Sequence, residues 1–241
     1  MILTDNWFIL NYKNSPESIK KYLKPLPDMK KIALCGSSGC GKTTLAKALS
    51  PIVGIPYTPM SQKGIFSSET IEKFREQTNN NYFTEISHQM IIYLSHRFPN
   101  FGINFQFELL KERTLRILEN ETFITDRSPV DNLVYFLLQC GPYASNQQVN
   151  AFIRKAQKSI ENVDAIILLH QNPEKGYVIE DDGSRIINNE YQKMVDSVFE
   201  YVIKNHFKVY PQSNSKPYIM EIKEWDITKR IEILKGYILN S

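Results

Sequence analysis

Short apolar runs alternate along this chain with longer stretches of helical periodicity, the pattern of a parallel sheet covered by helices. From residue 29 onward the runs are Ile32-Ala33-Leu34-Cys35, a weaker Ile55-Pro56-Tyr57, Glu121–Asp126, Ala165–Leu169 and Tyr218–Ile222. Residues 67–119 read as helical throughout, with Phe83, Ile86, Met90 and Leu94 on one face. A further helix is expected over Tyr191–His206, where Tyr191, Met194, Val195, Val198 and Val202 fall at helical spacing. A closing helix follows Asp226 and carries Ile227, Ile231, Leu234 and Ile238. The expected architecture is α/β, three layers deep, with a parallel sheet and helices on both faces. Residues 1–28 stand ahead of this core as an N-terminal extension, and residues 29–241 form the main domain. Within the extension, Trp7-Phe8-Ile9-Leu10 reads as a short strand and Ser15-Pro16-Glu17 as a helix start.

The connection between the first core strand and the helix after it changes the picture from fold to chemistry. Gly36-Ser37-Ser38-Gly39-Cys40-Gly41-Lys42-Thr43 fits G-x-x-x-x-G-K-[ST] at every fixed position, between an apolar run and a helix opening at Thr44-Leu45-Ala46. Glycines at these places let backbone N–H groups curl around a phosphate chain at the positive end of a helix. Lys42 is expected on the β- and γ-phosphates and the Thr43 hydroxyl on Mg²⁺. Gly36, Ser37, Ser38, Gly39, Cys40, Gly41, Lys42, Thr43 and Thr44 are therefore the candidate nucleotide-binding residues, with ATP and Mg²⁺ as the cofactors. GTP is disfavoured as donor because no N-K-x-D guanine-reading motif is present.

Composition narrows the setting. The 241 residues, 42% of them hydrophobic, suffice for one α/β domain with a sizeable core. A net charge of +3 is too mild to imply polynucleotide binding by itself. No apolar run approaches the length of a membrane span, and the start Met-Ile-Leu-Thr-Asp-Asn-Trp does not read as a signal peptide. Cys35, Cys40 and Cys140 make no disulfide framework, so the expected compartment is the cytoplasm.

A second constellation, Asp126-Arg127-Ser128-Pro129, closes an apolar strand well downstream of the loop. An acid there suits a second position beside Mg²⁺, making Thr43 and Asp126 the candidate metal-side residues. Hydrolytic ATPases with this loop usually follow the acid with a glutamate that activates water. Here Arg127 follows, a side chain that clamps an acceptor or the transferring phosphoryl group through paired hydrogen bonds.

The loop, the D-R-S-P-x-D stretch from Asp126 to Asp131 and the strand order resemble the P-loop kinases of nucleosides and nucleoside monophosphates. The C-terminal half, with Ala165–Leu169, Asp181-Asp182-Gly183-Ser184-Arg185 and Pro217-Tyr218-Ile219, is similar to the nicotinamide riboside kinase domain of bacterial NAD regulators. Bacteriophage proteins described as AAA-type ATPases or kinases share the same pattern. The resemblance covers about residues 30–240 and implies a P-loop kinase domain over residues 29–241 with a lid at about 171–189. In that lid Arg185 would stabilise charge on the transferring phosphoryl, with Lys175 as a helper, so the implied catalytic set is Lys42, Asp126, Arg127 and Arg185.

The acceptor stays open at this stage. Riboside kinases usually keep an acid after the second strand as general base, and Thr58–Lys63 holds none. Asp126 or Glu69 could serve, or the acceptor already carries a phosphate held by Arg127 and Lys63. Phe66, Phe74, Arg75, Tyr82, Phe83, His88 and Gln89 are candidate pocket-wall or ring-stacking residues, with a core position the favoured reading for most of the aromatics. The partners expected are a nucleoside or nucleotide, with a hydroxymethylated pyrimidine in DNA as one alternative and a homodimer compatible with the sequence. The other class is a nucleotide-dependent regulatory ATPase.

Overall fold

Among the described residues, five parallel strands form one sheet in the order β1-β5-β4-β2-β3. They are β1 (Trp7–Leu10), β2 (Lys31–Cys35), β3 (Phe123–Thr125), β4 (Ala165–Leu169) and β5 (Tyr218–Ile222). The computed structural model describes residues 7–10, 29–60, 65–78, 88–172, 186–207 and 217–239. The sheet's centre is β2, paired with β4 through Ile32↔Ala165 to Cys35↔Leu168 and with β3 through Lys31↔Phe123 to Ala33↔Thr125. Strand β1, from the N-terminal segment, adds to the outer side of β5 with Trp7 opposite Ile219. The helix start expected at Ser15 lies outside the described residues.

Alternation along the strands divides the apolar side chains between two covering layers. Ile32, Leu34, Ala165, Ile167, Leu169, Met220 and Ile222 pack with Leu45 and Leu49 of α1 (Lys42–Val53) and Leu234 of α8 (Ile227–Ile238). Ala33, Cys35, Ile166, Leu168 and Ile219 face the other way. They meet residues of α5 (Pro129–Gln139), α6 (Asn146–Ile160) and α7 (Asn189–Val202). All three cysteines are buried and unpaired. Among the described residues no helix is long and apolar enough to cross a membrane.

The strands at 165–169 and 218–222 match the sequence reading, whereas the weak run at 55–57 makes a single bridge, Tyr57 to Ile124. Proline explains the difference. Pro56 accepts from the Ile124 N–H at 2.8 Å but has no N–H to extend the ladder. Residues 79–87 lie outside the described residues. Among the described residues of the stretch 67–119 are α2 (Ser68–Thr78), α3 (His88–Arg97) and α4 (Pro99–Glu119). Phe98 separates the last two at φ −133°, where the following proline excludes helical backbone. The helix expected over Tyr191–His206 spans α7 and a π-helical turn at Ile203–Phe207. Of its expected apolar stripe, Val195 and Val202 are buried and Met194 is exposed.

Helices α5 and α6 open on capping boxes, Ser128 with Asp131 and Ser145 with Gln148. Phe136 and Phe152 bind these two helices together, both fully buried and stacked with centroids 4.0 Å apart. Phe136→Ala is expected to cost about 3–5 kcal/mol of stability by chemical denaturation. A loss below about 1 kcal/mol would mean the stack does not hold the two helices.

Candidate functional site

The loop Gly36–Thr43 joins the C-terminal end of β2 to α1. Gly36 has φ +137°, and a Cβ there would stand 2.4 Å from the Leu169 carbonyl oxygen, so only glycine fits beside β4. Gly41 has φ +86° and is the N-cap of α1. It offers no side-chain cap, and the first turn holds no acid, so the opening N–H groups of α1 keep their capacity for an anion. Lys42 is buried and its Nζ donates to the carbonyls of Gly36 at 2.7 Å and Ser37 at 2.6 Å, with the Cys40 Sγ at 3.4 Å. The Ser37 hydroxyl is buried with no hydrogen-bond partner among the described residues.

Two further carbonyls of the loop are held from outside it. Gln171, just beyond β4, donates its Nε2 to the Ser38 oxygen. Arg230 of α8 donates Nη1 to the Cys40 oxygen, Nη2 to the His170 oxygen at 2.6 Å and Nε to the Glu224 oxygen at 2.6 Å. Beside these contacts lies an open pocket of about 380 Å³, lined in part by Gly39, Thr44, Gln171, Trp225, Asp226 and Arg230.

Asp126 follows β3 and stands at the mouth of the loop. Its Oδ2 accepts from the Thr43 hydroxyl at 2.6 Å and the Tyr57 hydroxyl at 2.9 Å, and its Oδ1 from the Met60 N–H at 3.4 Å. Burial would raise the carboxyl's pKa, but these donors and the Arg127 charge outweigh it and hold the pKa below the ordinary aspartate value. Tyr57 is pushed the other way, first by burial and then by the Asp126 charge. Hard oxygens from Thr43 and Asp126 suit Mg²⁺, which takes one or two protein oxygens and completes its shell with phosphate and water. Among the described residues there is no cluster of three or more His, Cys, Asp or Glu of the kind an all-protein metal cage needs.

Arg127 pairs through Nη1 with Asp131 Oδ1 at 3.3 Å, while Asp131 Oδ2 accepts from the Ser128 N–H and hydroxyl at 2.8 Å each. Burial would weaken the guanidinium's hold on its proton, but the nearby Asp131, Tyr135 and Asp126 strengthen it overall. A second arginine, Arg113 of α4, is buried close by. It donates Nε to the Met60 oxygen at 3.1 Å and Nη1 to Asn132 Oδ1 at 2.7 Å. Burial and then the Arg127 charge lower its pKa to about 10, so it stays cationic at neutral pH. Two turns away on both helices, Gln106 of α4 donates to Gln139 of α5 at 2.8 Å. Asn132 Nδ2 and Gln106 Oε1 are buried without partners among the described residues.

Of the residues expected from sequence, the structure gathers Lys42 and Thr43 at the loop and Asp126 and Arg127 at its mouth. Arg185, Lys175, Lys63, Tyr82, Phe83 and most of the expected lid lie outside the described residues, as do the side chains of His88 and Gln89. Glu69 is not placed to fold over the site: it is exposed on α2 and paired with Lys73 at 2.8 Å. Phe66 and Phe74 are core, packed with Phe101 and Phe105, and Arg75 pairs with Glu72 on the same helix at 2.8 Å. Tyr57, Arg113, Gln171 and Arg230 were not foreseen. The two arginines had a signal, since each is a charge inside an apolar helical stripe, Leu109-Arg113-Ile117 and Ile227-Arg230-Leu234.

Comparison with known proteins bears on the fold. A family model described as an AAA domain matches residues 31–211. No curated protein matches the sequence. Among solved structures, deoxyadenosine kinase from M. mycoides, with the products dCMP and dCDP, is similar at 16% identity and TM-score 0.54, over 87% of this chain and 98% of that one. The same kinase with dATP gives 16% identity and TM-score 0.52, over 88% of this chain and 100% of that one. Thymidylate kinase from Candida albicans gives 14% identity and TM-score 0.50, over 88% and 92%. At such identities the likeness shows a common fold, the P-loop kinase arrangement of a parallel sheet between helical layers. With the family model covering most of its length, the chain belongs to the AAA domain family.

Proposed function

We propose that this protein is a Mg·ATP-dependent kinase of the P-loop type that transfers the γ-phosphoryl group to a nucleoside monophosphate. The observation that carries this reading is the 2.6 Å bond from Thr43 to Asp126 at the loop mouth, with Arg127 as the next residue. A hydrolase needs a group that activates water beside that acid. The chain has a guanidinium instead, and Arg113 brings a second cation nearby.

In this reading the loop N–H groups and Lys42 hold the donor's phosphates, and the nucleotide base occupies the pocket beside Thr44 and Trp225. Thr43 and Asp126 would hold Mg²⁺, which would supply positive charge against the phosphates. Asp126 is poorly suited to be the general base: donors occupy both of its oxygens and its pKa is low. An acceptor that brings its own phosphate needs no base, which favours the monophosphate within the nucleoside and nucleotide class. Arg127 would orient that phosphate, and the unsatisfied Asn132 amide would meet the acceptor's polar edge. An oxygen of the acceptor's phosphate then attacks Pγ, the bond from Pγ to the β-bridging oxygen breaks, and ADP and a nucleoside diphosphate leave. The lid at about 171–189, with Arg185 on the transferring group, belongs to this proposal on the strength of the sequence.

The test is transfer of labelled γ-phosphate from ATP to nucleoside monophosphates, nucleosides, nicotinamide riboside and DNA containing hydroxymethylpyrimidine. Labelled nucleoside diphosphate is the expected product. Labelling of DNA alone, or ATP turnover that no acceptor stimulates, would refute the proposal. Lys42→Ala is expected to lower transfer by at least about a thousandfold with an unchanged circular dichroism spectrum. Transfer at the parental rate would remove Lys42 from the site.

Asp126 also predicts a pH dependence. Its folded pKa lies below the unfolded value of about 3.9, so its stabilising contribution is complete above that value. It is lost as pH falls through the folded pKa. Asp126→Asn should therefore remove a stability increment that is constant from about pH 5 to 8 and shrinks below about pH 4. Denaturation midpoints of both proteins across pH 3–8 check this, and a difference that first appears above pH 6 would contradict it.

A further inference from the structure

We propose that Gln171 and Arg230 are positioning residues for the phosphate loop, holding two of its peptide groups in the orientation that phosphate binding needs. This rests on the reading that Gly36–Thr43 binds a triphosphate. In a trans peptide the C=O and the following N–H point in opposite directions. Gln171 draws the Ser38 oxygen toward the end of β4, which turns the Gly39 N–H the other way. Arg230 draws the Cys40 oxygen toward α8, which turns the Gly41 N–H away from α8 in the same manner. A loop with three glycines of positive φ would otherwise flip these peptides at small cost, and a flipped peptide sets a carbonyl dipole against the anion.

The placement of Arg230 supports a directional role. It is 3% exposed, in the apolar stripe of α8 between Ile227 and Leu234, where an aliphatic side chain would pack without charge burial. Its three donors go to backbone carbonyls of three separate segments: the loop at Cys40, the end of β4 at His170 and the β5–α8 connection at Glu224. The same guanidinium therefore fixes the loop to two walls of the adjacent pocket. A Cβ on Gly41 would stand 3.3 Å from Arg230 Nη1, so the loop is packed directly against this side chain.

The experiment measures equilibrium binding of Mg·ATP and of Mg·tripolyphosphate, which has no base or ribose, to the full chain and to Gln171→Met, Arg230→Lys and Arg230→Met. Affinities are referred to the folded fraction. Because Arg230→Met leaves three carbonyls unsatisfied and can fail to fold, the half-buried Gln171→Met carries the test in that event. Each folded variant is expected to weaken both probes by a similar factor, on the order of tenfold or more. Loss of ATP affinity with tripolyphosphate unchanged would make these residues base contacts and overturn the proposal. Parental affinity for both probes would reduce them to structural contacts and overturn it as well. If the parental chain binds neither probe, the donor-site reading itself fails, an outcome visible before any variant is made.

Discussion

Orientation of the peptide groups between Gly36 and Thr43 is the constraint on which the rest of this molecule depends. An anion cradle requires backbone donors to converge, and convergence requires that the carbonyls between them be engaged elsewhere. The first two carbonyls are taken by Lys42, and those of Ser38 and Cys40 by Gln171 and Arg230. A Cβ on Gly36 would stand 2.4 Å from the Leu169 oxygen, a closeness that follows from the pairing of β2 with β4. Sheet order, loop geometry and the packing of α8 are thus parts of one arrangement.

Charge follows the same logic at the loop mouth. Asp126 is buried, and burial alone would favour its neutral form. Three donors and Arg127 reverse that preference and leave a negative charge beside Thr43 at neutral pH. Such a carboxylate suits a metal-side role better than proton transfer, since its low basicity limits what it can abstract near pH 7. The neighbouring cations, Arg127 and Arg113, bond to their own partners, Asp131 and Asn132. The site therefore holds both signs of charge without collapsing into one ion pair.

Much of this was legible in the sequence, for identifiable reasons. Strand β4 is buried on both faces and reads as an unbroken apolar run with clear limits, and β5 reads as a largely apolar run interrupted by Glu221. The phosphate loop is legible because its glycines answer a backbone requirement that other residues cannot meet. The break at Phe98 was missed because Pro99 is compatible with a first helical turn and breaks only what precedes it. Glu69 and the aromatic residues Phe66 and Phe74 looked available for the acceptor, but α2 turns the acid to solvent, and Phe74 packs in a buried cluster with Phe66, which stands just ahead of the helix. Arg113 and Arg230 stand out as charges in apolar stripes, but their partners, the Met60 oxygen and Asn132 for one and three backbone oxygens for the other, are reported by no sequence pattern. Gln171 and Tyr57 reach their partners across more than 60 residues of sequence, a proximity only the fold creates.

The most direct measurement is a crystal structure of the chain with Mg²⁺, a non-hydrolysable ATP analogue and a nucleoside monophosphate. The account predicts the triphosphate along Gly39–Thr44, the metal between Thr43 and Asp126, and the acceptor's phosphate beside Arg127. A triphosphate bound elsewhere, or one whose γ-phosphate faces an ordered water with no acceptor seated near Arg127, would contradict it.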